Sequence, residues 1–391
     1  MKNYLILRKV SLFIGLFVTL FSCVEPFDIK YDLNQKVIIV EGVLSDEIGD
    51  QIIIIKQSTP NLTGSSSQII GLEKANVEIL VNNTEKIQFT ESTVNLGNYI
   101  GPPNFRAVFG NTYQLLITTA QGQKFASKTE KIKKGSEVKK VYQKFVAIGK
   151  PLDKNYKVQH SIYLDTEDPA TKGDNYLWKW KLFETQDICR TCEPQERYYP
   201  NPYPGRCVKD LPNFLRNTIY DYQCASGGCW EIIHSLKSNV MTDEFSNGKT
   251  ITGRLIAEVP LYQLNAGALI EISQQSIDVD AYKYMKILID QNQNSGGLAD
   301  TPPVSLVGNI TSVDGARETV AGYFRVTDES VFKYWIDRSD VIGEEIRPVG
   351  LLGRAVNLEP TGSDTTRPPV APCIEGYTRT KKRPIGWQET K

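Results

Sequence analysis

The chain has 391 residues, of which 40% are hydrophobic and 23% charged, the values of a folded globular protein rather than a disordered one. Forty-five basic residues balance 45 acidic ones, so the charge gives no sign of a nucleic-acid partner, which usually meets a basic excess or stripe. Only two histidines occur, His160 and His234. A His-based hydrolase or a His-rich metal site would have to be built on one of them, and each reads better as a locally packed ring.

The amino terminus carries Lys2, Arg8 and Lys9, then an apolar run from Val10 to Leu20. Charged head, short apolar core and a small residue before a cut site are the pattern of a secretory signal. The run is shorter than the about 20 apolar residues that span a bilayer. It ends in Leu20-Phe21-Ser22-Cys23, which resembles the bacterial lipobox, where the Cys thiol receives diacylglycerol and the peptide bond before it is cut. The expectation is a signal peptide over 1–22, a lipid on Cys23 and a tether over 23–36. A plain signal peptide with Cys23 in a disulfide is the alternative. No second long apolar segment follows, so the chain is expected to be anchored rather than spanning. Only Glu25 and Asp28 are acidic after the Cys, so the tether does not assign a cell-surface face.

Val37–Leu44 and Gln51–Lys56 are β-branched runs flanking a turn-rich stretch. Ala75–Val81 alternates, Lys86–Thr90 returns, and Tyr113–Thr119 with Lys124–Thr129 forms a hairpin about Gln121-Gly122. Short strands with no helical period predict an immunoglobulin-like β-sandwich over 37–135. Seven lysines between 130 and 150 read as a solvated edge strand; a basic contact for lipid headgroups or a partner is the alternative.

A second β-sandwich is expected over 136–354. Tyr176–Leu182 alternates with Tyr176, Trp178 and Trp180 on one face and Leu177 on the other. Lys249–Val259, Ala268–Gln274 and Glu318–Val326 read as strands. One helix is predicted near 278–293, with Ser276 as a possible cap, Asp278 and Asp280 in its first turn, and Ala281, Met285, Leu288 and Ile289 at helical spacing. Asn294 to Gly297 stops it. Residues 355–391 read as a tail held by Cys373 and Trp387.

With Cys23 lipidated, six cysteines remain: Cys189, Cys192, Cys207, Cys224, Cys229 and Cys373. Five lie in the insertion 187–230, a loop with too little core of its own, which cross-links stabilise. Three disulfides are expected, with connectivity open. The Cys189-Arg-Thr-Cys192 spacing also suits half a zinc site or a redox pair, but an exported chain favours disulfides, and no metal or cofactor is expected. Inside the insertion, Arg197, Tyr198, Tyr199 and Tyr203 lie in a proline-rich run. Tyrosine joins a rigid apolar face to a hydroxyl, which suits a partner or ligand contact; packing of the loop on its own domain is the alternative.

Several segments together resemble a Bacteroidota lipoprotein family, domain of unknown function 4249. They are the opening strand VIIVEGVLSDE, Ile272–Ile277, Asp280–Tyr284, Pro302–Ile310, Gly322-Tyr323-Phe324 and Cys373 with Arg383–Trp387. The resemblance implies an outer-membrane lipoprotein, often encoded beside a SusC-type TonB-dependent receptor. It implies no chemistry and no active-site residues. Three functions are therefore weighed. The first is a non-enzymatic binding or accessory subunit of such a transporter, held to the outer membrane by Cys23. The second is a hydrolase of envelope or extracellular polymer, for which Asp165, Glu167, Asp168 and Asp174 offer carboxylates, although these residue types are common in turns. The third is a surface adhesin using the tyrosine-rich loop.

Overall fold

The computed structural model describes residues 36–58, 68–209, 218–236, 238–293, 307–315, 319–343, 345–360 and 369–388. The signal, Cys23 and the tether lie outside them, as do the expected helix stop at 294–297 and the prolines at 302–303. The protein is mainly β, with two β-sandwich bodies and, among the described residues, one α-helix.

The first body is one eleven-stranded sheet curled on itself. Its middle follows the sequence expectation: Asn76–Val81 pairs antiparallel with Glu85–Glu91 and with Thr112–Thr118, and Thr112–Thr118 with Lys124–Ser127. Val37–Ser45 pairs with Ile52–Ser58. The alternating side chains Val77, Ile79, Leu115, Ile117, Ile53 and Ile55 fill the interior, as a period-two pattern requires.

Both end strands come from far along the chain. Thr319–Thr327 lies parallel to Val37–Ser45, and Ile310–Ser312 lies antiparallel to Lys124–Ser127. The sheet therefore draws strands from both sides of residue 135. A parallel pair needs a long crossover, and here it holds the rest of the first body's strands and most of the second body, whose strands Glu329–Ile336 and Arg379–Thr380 follow it. The seam between the two end strands is closed by a side chain. Asn309 Nδ2 donates to the Phe324 carbonyl at 2.7 Å, and the Phe324 N–H donates to Asn309 Oδ1 at 2.9 Å. The backbones of Gly308 and Gly322 meet there: a Cβ on Gly308 would lie 1.6 Å from the Gly322 carbonyl oxygen.

The second body is a sandwich. Val138–Ile148, Lys157–Glu167 and Thr250–Pro260 form a three-stranded antiparallel sheet with the lysine-bearing strand at its edge. The facing sheet has Glu329–Ile336, Ala268–Ile277, Asn175–Thr185, Trp230–His234 and Arg379–Thr380 in that order. Ile162, Leu164, Ile256, Trp178, Ile270 and Ile272 meet in the core between them.

The helix, Val279–Gln293, lies where the two bodies join. Ala281, Tyr284 and Met285 pack on Leu177 of the second body and Tyr323 of the first. Leu177 is thereby buried, so Tyr176–Trp178 is covered on both faces rather than half-buried. Asp278, not Ser276, caps the helix: its Oδ1 accepts the Ala281 N–H at 2.6 Å. Ser276 is still inside a strand that runs on to Ile277. Across the same junction Lys179 meets Glu41 at 3.1 Å, and buried Arg325 donates to Gln275 Oε1.

Glu130 is buried at the seam, where Asn309 Nδ2 donates to its Oε1 at 2.7 Å. Burial, with the Asp278 carboxyl beside it, pushes its pKa from 4.5 to about 9. The native state therefore holds a proton that the unfolded chain releases near pH 4.5. The stability this gives is complete below about pH 4.5 and is lost as pH rises through about 9. Glu130→Gln keeps a neutral donor and acceptor there. It is expected to flatten the fall in unfolding free energy between pH 6 and 9 and to leave the variant more stable than wild type at pH 9. Denaturant titrations at several pH values check this; parallel profiles would show that Glu130 is ionised in the fold.

Candidate binding site

The cysteine-rich insertion folds as a small module. Ile188–Cys192 pairs with Tyr220–Cys224, which pairs with Val370–Ala371; Glu196–Tyr199 pairs with Arg206–Lys209. Three disulfides hold it: Cys189–Cys224, Cys192–Cys207 and Cys229–Cys373. The two cysteines of the CxxC pair are bonded to different partners and not to each other.

The stretch expected to be a tail is stitched into this module. Arg354 reaches both oxygens of buried Asp221 at 2.7 and 2.8 Å, Glu359 accepts the Tyr222 hydroxyl and Arg197 Nε, and Trp387 packs edge-on against Trp230 and Trp335. The apolar signal past residue 337 is weak because polar pairs and cross-links, not a strand period, hold this segment.

The aromatic run divides. Tyr198 is only 5% exposed, and its hydroxyl accepts the Gly205 N–H at 3.0 Å. Its ring packs against Tyr222. A Cβ on Gly205 would meet the Tyr198 hydroxyl at 2.4 Å, so the turn is built around that ring. Arg197 is tied to Glu359 at 2.8 Å. Tyr198 and Arg197 are thus internal anchors rather than free contacts. Tyr199 and Tyr203 remain on the surface, 43% and 74% exposed.

A concavity lies elsewhere, beside residues 233–236 and 238–240. It is a cleft of about 610 Å³ between those residues, the strand Thr250–Pro260 and the outer side of the helix, within the usual range for small-ligand sites. Trp180, Leu255, Ile256 and Ile289 give it apolar walls, and Arg254 lines it. Across the same residues is a second cleft of about 440 Å³ with Lys179, Lys181, Glu271 and Glu329. His234 stands between them, stacked on Tyr377 at 4.1 Å. The Cys229–Cys373 bond anchors the segment bearing Tyr377, so the cysteine module forms one rim of the second cleft. The sequence placed no site here, because strands far apart in the chain build it.

The carboxylates considered for hydrolysis are not gathered in either cleft. Asp165 accepts the Gly253 N–H at 2.8 Å and Glu167 faces Lys139 at 3.5 Å. Asp168 accepts from Tyr176 and from Ser246 at 3.3 Å, and burial pushes its pKa up. Asp174 accepts the Thr171 hydroxyl at 2.5 Å. In the second cleft Glu271 is held by Lys181 at 2.6 Å and Glu329 by Ser273 and Gln275. His160 is buried and bonded to Asp340 at 2.9 Å.

The chain is thus β-rich and two-bodied, with a disulfide-clamped module and open clefts. The chain belongs to the family described as domain of unknown function DUF4249, whose model matches residues 24–332. No curated protein and no solved structure shows significant similarity to it.

Proposed function

We propose that this chain is a non-enzymatic outer-membrane lipoprotein, anchored through lipid on Cys23, that binds for or supports a SusC-type TonB-dependent transporter. The observation that carries the binding reading is the 610 Å³ cleft with apolar walls and a lining guanidinium. The hydrolase reading has less support, since its candidate carboxylates are engaged in turns and ion pairs. The anchoring rests on the lipobox-like Leu20–Cys23 and the partner on the family resemblance. A shared membrane surface raises effective concentration, so a modest interface suffices. Tyr199 and Tyr203 are the contact residues, because tyrosine recurs at binding hot spots and a loop fixed by Cys192–Cys207 loses little entropy on docking.

Labelled palmitate is expected to enter the wild type and not Cys23→Ala; equal labelling would end the lipoprotein reading. In a gentle detergent pull-down from native membranes, a TonB-dependent receptor is expected to co-purify. Tyr199→Ala with Tyr203→Ala should weaken that association without lowering the melting temperature. Purification of the chain alone, even after cross-linking, would remove the transporter partner, while full association of the double variant would remove only the loop.

A further inference from the structure

We propose that the cleft lined by residues 233–234, 236, 238–240 and 254–258 binds a small amphipathic carboxylate, an apolar body with one carboxylate that Arg254 receives. The inference rests on the binding reading of this cleft and not on the transporter partner. Arg254 lies 5.3 Å over the ring of Trp178, whose indole is fully buried and fixed by Gln274 at 2.8 Å. Its Nη2 donates to Asn239 Oδ1 and, at 3.1 Å, to the Val240 carbonyl. Both acceptors are neutral, and Nε is buried with no hydrogen-bond partner. Each of the three lysines lining the two clefts has a carboxylate partner: Lys286 has Asp290, Lys179 has Glu41 and Lys181 has Glu271. Among the described residues Arg254 has none, and burial lowers its pKa. A half-buried guanidinium without a counter-ion is costly unless a ligand supplies one; with Nη2 engaged twice and Nε shut off from solvent, Nη1 is the nitrogen left to receive a carboxylate oxygen.

The rest of the cleft selects the body of that ligand. Trp180, Leu255, Ile256 and Ile289 offer apolar surface beside the guanidinium. Glu258, the acid of this cleft, is already bonded to Gln159 at 2.6 Å and Lys157 at 3.2 Å. One available cation fits one negative charge. A phosphate dianion would call on Lys286, which Asp290 already occupies.

The test uses the purified mature chain with decanoate, decanol and decyl phosphate, read by calorimetry and tryptophan fluorescence. Decanoate is expected to bind at one site, with decanol and decyl phosphate each about tenfold or more weaker. Arg254→Gln should weaken decanoate by about tenfold or more, the scale of one charge-assisted hydrogen bond, and leave decanol unchanged. Arg254 also braces Asn239, so a second variant guards against misfolding: Leu255→Asp, on a partly exposed wall, should weaken decanoate while the melting temperature holds. Equal binding of decanoate and decanol, unchanged decanoate affinity in Arg254→Gln or in folded Leu255→Asp, or no decanoate binding would each overturn the proposal. Tighter decyl phosphate than decanoate would overturn the carboxylate assignment. A cleft that binds none of the three while the receptor still co-purifies would leave the transporter partner standing without this ligand.

Discussion

Arg338→Ala is expected to cost about 3–5 kcal/mol of unfolding free energy, the usual penalty for breaking a buried ion pair by removing one partner. Arg338 begins the short turn after the strand Glu329–Ile336 and is buried. Its Nη2 donates to Glu184 Oε1 and its Nη1 to the Ala266 carbonyl. Glu184 is fully buried on the strand Asn175–Thr185, and its other oxygen accepts from Gln263 at 2.8 Å. Without Arg338 the carboxylate keeps only Gln263. Burial already pushes its pKa up, so the variant should take up a proton on Glu184 and lose most stability at alkaline pH. The double change Glu184→Leu with Arg338→Met should recover much of the loss, because an apolar pair of similar volume avoids the desolvation of both charges. Urea midpoints followed by near-ultraviolet circular dichroism read both. A loss below about 1 kcal/mol for Arg338→Ala would mean that water reaches the pair.

Much of the fold was legible because strand alternation is local. Val77, Ile79 and Val81 announce an inward face, and the structure buries all three. The two helical aspartates were legible too, though the strand's continuation through Ile277 moved the cap from Ser276 to Asp278. What was not legible is long-range. No period in Gly308–Ser312 or Thr319–Thr327 says that these strands complete a sheet begun at Val37, since parallel register is set by three-dimensional closure. The quoted segments Gly308-Asn309-Ile310 and Gly322-Tyr323-Phe324 meet at that seam, where Asn309 bridges to Phe324 and two glycines let backbones touch. Two of the segments that carry the resemblance thus serve this junction. The cleft was hidden for the same reason. Arg254, Trp178 and Ile289 sit on three separate elements, and no spacing between them is fixed by the chain. The cysteine arithmetic gave the number of bridges but not their pairing, which joins residues 15 to 144 positions apart.

Replacing Cys229 and Cys373 with Ser is expected to free the last segment of the chain. The bond closes a stretch of 144 residues, and restricting a loop of that size in the unfolded chain stabilises the fold by about 5 kcal/mol in the chain-entropy account. Its neighbours depend on it: Trp230 pairs with Thr380, Trp230 packs on Trp387, and Arg379 holds Glu231 at 2.9 Å. Hydrogen exchange at residues 369–388 should rise first, with the His234–Tyr377 rim of the second cleft opening, while the first body keeps its protection because its core is separate. The contrast is Cys192→Ser with Cys207→Ser. That bond closes 15 residues, worth about 3 kcal/mol on the same account, and its loss should loosen only the hairpin 196–209. Melting temperature and exchange mapping of the two double variants distinguish the roles. If both melt alike and residues 369–388 stay protected without Cys229–Cys373, then the Trp387 cluster, the Arg379–Glu231 pair and the strand pairings of 370–371 and 379–380 suffice to fasten this segment.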